Sequence, residues 1–266
     1  MSDTPSATAQ ANTEPQVALF VTCLADLFRP SVGFASLNLL ESAGYLVSVP
    51  MEQTCCGQPA YNSGDYDAAR ALARRVIEML APADYVVVPS GSCAGMLCHH
   101  YPRLLHGEWH DRALELAAKT FELTTFLEQI APRTAGRAKQ LDARAENAVA
   151  YLDSCAGLRE LGIREQPRAL LRDACSIQAI ELEQRDVCCG FGGTFCAKMP
   201  AISGKMADDK LDSAMATGAD TLVGGDLGCL LHLAGRAKRR GLSIQLRHVA
   251  ELLAGDTAGP AIGEED

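Results

Sequence analysis

The chain is short of positive charge. Lys and Arg number 24 against 33 Asp and Glu, a formal net charge of −9 at pH 7. Nucleic acid and anionic membranes are held by clustered Lys and Arg, so neither is expected as a partner. Long apolar runs are also missing: no stretch approaches the roughly 18–20 residues of a spanning helix. Residues 1–16 are polar, carry Asp3 and Glu14, and lack the apolar core of a secretory leader. A cytoplasmic location is therefore expected. No P-loop is present, and no Ser/His/Asp set is suggested. Gly190-Phe191-Gly192-Gly193 lacks the third glycine of a dinucleotide fingerprint, since position 195 is Phe.

What is abundant is cysteine. There are 11 in 266 residues, in a chain whose 48% hydrophobic and 21% charged content is otherwise that of a globular protein of one or two domains. A reducing compartment disfavours a disulfide framework and points to metal or redox chemistry. Scattered cysteines can also serve as small core hydrophobes, and the pattern decides between the two. Two doublets, Cys55-Cys56-Gly57 and Cys188-Cys189-Gly190, each have one cysteine upstream, Cys23 and Cys155, after 31 and 32 intervening residues. Each has one downstream, Cys93 and Cys229, after 36 and 39 residues. Independent core cysteines would not keep that register, so the chain reads as an internal duplication.

The flanks repeat as well. Apolar runs at 17–21, 148–152, 85–88 and 221–223 read as buried strands of parallel sheets. Amphipathic stretches at 65–80, 201–217 and 230–240 read as helices. The expected fold is α/β: two tandem, pseudo-symmetric Rossmann-like repeats with parallel sheets. The first spans 17–131 and the second 148–254, with a polar linker at 132–147. Residues 1–16 and the acidic tail 255–266 are expected to fray. Cys23, Cys93, Cys155 and Cys229 then fall just past strands, at or near helix starts. Ligands of open α/β sheets collect there, and thiolates are stabilised.

Four thiolates suit zinc or an iron–sulfur cluster. Structural zinc sites usually draw on Cys-x₂₋₄-Cys pairs, and neither quartet contains one. Adjacent cysteines more readily reach different irons of a cluster than one small ion. Iron–sulfur is therefore the leading reading. A zinc-stabilised interaction module and metal-free thiol chemistry are the alternatives.

The doubled Cys…Cys-Cys-Gly…Cys arrangement resembles the cysteine-rich CCG domain, found twice in the cysteine-rich component of heterodisulfide reductase and in the iron–sulfur component of glycolate oxidase. The stretches Cys55-Cys56-Gly57-Gln58-Pro59-Ala60-Tyr61-Asn62-Ser63-Gly64, Leu152-Asp153-Ser154-Cys155, Arg159-Glu160-Leu161-Gly162, Arg164-Glu165-Gln166-Pro167-Arg168 and Cys188-Cys189-Gly190-Phe191-Gly192-Gly193-Thr194-Phe195 resemble the lactate utilization protein A family more narrowly, from about Val17 to Leu253. The resemblance implies an electron-transfer subunit of a complex oxidising L-lactate to pyruvate. Its partners would be a ferredoxin-like iron–sulfur protein and a third small protein. Cys23, Cys55, Cys56 and Cys93 would hold one cluster, and Cys155, Cys188, Cys189 and Cys229 the other. The Cys-x-x-Cys endings of the heterodisulfide reductase motifs are absent: Met96 and His232 stand where the last cysteine would be. An ordinary [4Fe–4S] cluster per repeat is thus expected rather than a non-cubane pair. A cluster-based disulfide reductase, or a subunit acting on glycolate or another 2-hydroxy acid, is the rival function.

Other residues receive plainer readings. Cys98, Cys175 and Cys196 read as apolar cysteines, with an extra cluster ligand at Cys98 or His232 as the alternative. The glycines after Cys189 offer N–H groups to cluster sulfur. His99, His100, His106 and His110 fit no metal spacing and read as a solvated helix end. Arg159, Arg164 and Arg168 read as ion-paired surface residues, or as balancing a cluster or a substrate carboxylate. Asp153 and Asp226 read as capping or turn residues.

Overall fold

A computed structural model of the chain describes residues 15–131 and 148–264. The expected linker and nearly all of the N-terminal tail lie outside these residues. Two four-stranded, all-parallel sheets carry the fold. Strands β1 (Gln16–Leu19), β2 (Leu46–Ser48), β3 (Tyr85–Val88) and β4 (Thr120–Glu122) form the first, in the order β2-β1-β3-β4. Strands β5 (Val149–Leu152), β6 (Ile180–Glu181), β7 (Thr221–Gly224) and β8 (Gln245–His248) form the second, in the order β6-β5-β7-β8. The same order recurs in the same register: Val17 pairs with Tyr85, and Val149 with Thr221. These are two tandem Rossmann-like repeats.

The central strands are buried on both faces, which is why they read as unbroken apolar runs. Val17, Leu19 and Val87 face one helical layer with Ala35, Leu40 and Phe126. Ala18, Val86 and Val88 face the other, with Ala69, Ala73 and Val76. Successive strand residues point to opposite faces, so one short strand feeds two cores. In the second repeat Ala150, Leu152 and Leu222 pack on Ala207, Leu211 and Leu230, while Val149, Tyr151 and Val223 pack on Leu171, Leu252 and Leu253.

The repeats pack through their helices. Helix Pro30–Ser42 lies on helix Val249–Ala254, and helix Gly91–Gly95 on helix Cys155–Glu160. A fully buried carboxylate, Glu251, accepts from Arg29 Nε and Ser31 Oγ across this junction, both at 2.7 Å. Of the C-terminal segment expected to fray, the described residues 255–264 lie back on the second repeat. Ala261 and Ile262 are buried, and the Ile262 N–H donates to the Leu246 carbonyl of β8 at 2.9 Å. Two apolar side chains and one backbone bond offset the ordering of a short segment there.

Candidate functional site

In each sheet the first and third strands lie side by side, and the chain leaves them toward opposite edges. The cleft beyond their carboxyl ends is where ligands of open α/β sheets sit. The structure places the cysteines of each quartet on the segments that follow these strands. Cys23 opens helix Cys23–Phe28 after β1, and Cys155 opens helix Cys155–Glu160 after β5. Cys93 lies in helix Gly91–Gly95 after β3, capped by Ser90 Oγ, which accepts from the Cys93 N–H at 3.4 Å. Cys229 lies in the first turn of helix Leu227–Arg240 after β7. The doublets follow β2 and β6.

Both doublets turn in the same way. Gly57 and Gly190 each have φ of +85°, a left-handed conformation that side chains resist. The turn swings each glycine N–H back onto the sulfur two residues earlier, Cys55 and Cys188, at 3.4 Å in both repeats. The thiols then gather in pairs. Cys56 and Cys93 sulfurs are 3.4 Å apart, and their counterparts Cys189 and Cys229 are 2.9 Å apart. Cys155 and Cys188 are 3.7 Å apart, and Cys23 is hydrogen-bonded to Cys55. All eleven cysteines are free thiols.

The electrostatics repeat too. Hydrogen bonds from Cys23, Cys56 and the Gly57 N–H hold the Cys55 thiol down to about 3, against the push of burial. Hydrogen bonds from Cys155, Cys189 and the Gly190 N–H hold Cys188 down to about 2. Their neighbours go the other way. Hydrogen bonds to Cys55 and Cys93, then burial, push Cys56 well up, and the bond to Cys55 does the same for Cys23. Cys189 and Cys155 are pushed up in the same manner. At Cys229 the Cys189 donor pulls down, but burial and the Asp226 carboxylate outweigh it. In each quartet one sulfur, Cys55 or Cys188, is thus favoured as thiolate, while Cys23 and Cys56, or Cys155 and Cys189, are favoured as thiols. A cationic metal–sulfide core would take the place of those protons, because only deprotonated thiols ligate. The donor set fits such a core. Among the described residues no group of three or more His, Cys, Asp or Glu side chains is packed as a single-ion site, and the sulfurs approach one another in pairs.

The remaining cysteines point elsewhere. Cys98 donates to the Thr120 carbonyl at 3.6 Å, and burial raises its thiol to about 11. Cys175 donates to Leu252 O at 3.6 Å and Cys196 to Gly193 O at 3.0 Å. His232 meets Ser203 Oγ at 3.1 Å. Ser203 Oγ donates in turn to the Gly190 carbonyl at 2.8 Å, so the imidazole supports the doublet loop from behind. In the first repeat the buried Tyr101 hydroxyl does the equivalent, donating to Cys56 O at 2.8 Å. Nothing in the sequence near Tyr101 or Ser203 announces these supports.

The polar residues singled out in the sequence also find partners. Arg168 forms a bidentate pair with Asp153 at 3.0 and 2.8 Å, pairs with Glu181, and lies over the Tyr151 ring. Arg164 pairs with Asp186, and Arg159 donates to the Asp186 carbonyl. Asp226 caps no helix with its side chain. It accepts from the Ser90 hydroxyl and the Ser92 N–H of the other repeat. His100, expected at a solvated helix end, reaches across the junction to Glu160 at 3.1 Å and packs at a tilt against the Tyr61 ring. It closes a π-helical turn, Met96–His100.

Comparison with known proteins agrees with the duplication. The family model of the cysteine-rich domain CCG matches residues 17–98 and again 149–234. Lactate utilization protein A of Halalkalibacterium halodurans is 45% identical over 240 residues, covering 90% of this chain and 96% of that one. The protein of that name from Shouchella clausii is 44% identical, covering 89% and 98%. The chain belongs to the lactate utilization protein A family of CCG proteins. In this family member the two matched stretches each contain one cysteine quartet, and each quartet is gathered at one sheet. A putative Asp/Glu racemase from Yersinia pestis is similar among solved structures at 11% identity, covering 91% of this chain and 96% of that one, but the TM-score of 0.36 carries no argument. No helix among the described residues is long and apolar enough to cross a membrane.

Proposed function

We propose that this chain is an iron–sulfur electron-transfer subunit of a cytoplasmic system oxidising L-lactate to pyruvate. The observation that carries the reading is the duplicated gathering of four thiols, in a chain whose relatives are named for lactate utilization. Cys23, Cys55, Cys56 and Cys93 would hold one [4Fe–4S] cluster, and Cys155, Cys188, Cys189 and Cys229 the second. A bound cluster supplies one-electron redox chemistry.

The chain's own residues do the rest. The Gly57 and Gly190 N–H groups donate to the first sulfur of each doublet. Tyr101 and Ser203 hold the Cys56 and Gly190 carbonyls in place. The helices bearing Cys93 and Cys155 touch, as do those bearing Cys23 and Cys229, so the two sites lie on one junction, suited to passing electrons along it. The sequence contains no flavin or nicotinamide motif. Hydride removal therefore falls to partners, a ferredoxin-like iron–sulfur protein and a third small protein.

Anaerobic purification with iron and acid-labile sulfide analysis, and EPR before and after dithionite, tests the reading. About eight irons and eight sulfides per chain, with a reducible cubane signal, are expected. Bound zinc, or no metal, would overturn it.

A further inference from the structure

The repeats match closely in backbone and in their cysteines but differ beneath them. The second helix after each doublet, Tyr66–Leu80 in the first repeat and Pro200–Met215 in the second, turns a matching set of positions into the core. Ala69, Ala73, Ile77 and Leu80 correspond to Ser203, Ala207, Leu211 and Ala214. Within that set Val76 corresponds to Lys210, and both are buried, at 0% and 1% exposure. A buried ammonium is costly unless something opposes its charge. Lys210 Nζ has carbonyl acceptors, Gln184 O at 2.5 Å and Arg185 O at 3.5 Å, rather than a carboxylate. Its helix neighbours Ala207 and Leu211 share one buried cluster with Cys189 and Cys229, and Ser203 Oγ of the same helix donates to the Gly190 carbonyl, so Lys210 lies on the helix that backs this quartet. Burial holds its pKa below the ordinary lysine value, and the charges of the quartet and of Asp153 oppose that shift only in part. The polar neighbour of the first quartet is different in kind: the buried hydroxyl of Tyr101, which bears no charge.

We propose that Lys210 is the buried counter-charge of the Cys155, Cys188, Cys189 and Cys229 site and gives it a higher reduction potential than the Cys23, Cys55, Cys56 and Cys93 site. The inference rests on the reading that each quartet holds a cluster. A four-thiolate cluster is anionic and gains one more negative charge on reduction. A fixed cation in a low-dielectric interior stabilises the reduced state most. The second site then takes the first electron.

EPR-monitored redox titration of the anaerobically purified full chain tests this. The wild type should show two midpoints, and Cys56→Ser, which keeps the second quartet intact, should retain the higher one. Lys210→Gln keeps an N–H donor for Gln184 but removes the charge. It should lower the higher midpoint alone, at unchanged iron content, while Lys210→Arg stays near the wild type. If Lys210→Gln loses iron, Val76→Lys is read instead, and it should raise the lower midpoint. Lys210→Gln with full iron and unmoved midpoints, or Val76→Lys with an unmoved lower midpoint, would overturn the inference and reduce Lys210 to a brace for the 184–185 turn. Two clusters with one shared midpoint in the wild type would also overturn it while leaving the functional reading intact. A wild-type chain without iron would overturn both.

Discussion

Ser90 and Asp226 stand at matching places in the two repeats, each two residues past its central strand, and they meet. The Ser90 hydroxyl donates to Asp226 Oδ2 at 3.2 Å, and the same oxygen accepts from the Ser92 N–H at 3.0 Å. The duplicated units therefore face one another through the residues that lead into Cys93 and Cys229. Close backbone approach permits this. A Cβ at Gly91 would lie 2.9 Å from Gly157 Cα and 3.0 Å from Gly157 N.

Gly91→Ala is expected to wedge the junction apart, because the obstructing atoms are backbone and cannot rotate away. Overpacking of this kind costs about 1–3 kcal/mol. Chemical denaturation of the variant should show a lower midpoint than the wild type. An unchanged midpoint would mean that the helices carrying Cys93 and Cys155 do not pack as described.

Glu122 makes stability depend on pH. It is buried at the end of β4, and burial raises its carboxyl from 4.5 to about 7 despite hydrogen bonds from Thr124 and Thr125. Between those values the folded chain keeps a proton that the unfolded chain loses. The contribution to stability is therefore fully present below about 4.5, falls as pH rises to about 7, and stays lost above. Glu122→Gln should remove this slope and exceed the wild type above pH 7 by about 3 kcal/mol, at about 1.4 kcal/mol per pH unit. Thermal unfolding midpoints of both proteins from pH 5 to 8 check this. Parallel curves would contradict it.

The two doublet glycines should respond unequally to alanine. Both have positive φ, and a left-handed backbone costs a non-glycine residue roughly 1–2 kcal/mol. At Gly57 the nearest atom to a new Cβ is 3.5 Å away, whereas at Gly190 Ser203 O lies at 2.8 Å and Met206 Cβ at 2.9 Å. Gly190→Ala should deplete iron more than Gly57→Ala, read by metal analysis after parallel purification. Equal losses would mean that the backbone conformation alone matters.

Much of this was legible in the sequence, for physical reasons. Val86, Val87 and Val88 announce a strand buried on both faces, and the Cys-Cys-Gly doublets announce a repeated turn. The edge strands β2 and β6 did not stand out. They are two or three residues long and partly exposed, so Leu46 and Ile180 leave no alternation to detect. Tyr101, which donates to Cys56, follows a π-helical turn, and such turns have no composition signal. Asp226 looked like a cap because it precedes a helix, but a donor pair from a distant segment claims its side chain. Lys210 lies in an amphipathic stretch where a lysine reads as solvated, and its burial follows from the packing of that helix.

The central claim is that each quartet separately holds metal. Iron and sulfide analysis of Cys56→Ser, Cys189→Ser and the double variant, purified anaerobically, tests it most directly. Each single substitution should leave about half of the wild-type iron, and the double variant almost none. Loss of all iron in one single variant, or full iron in either, would contradict the account.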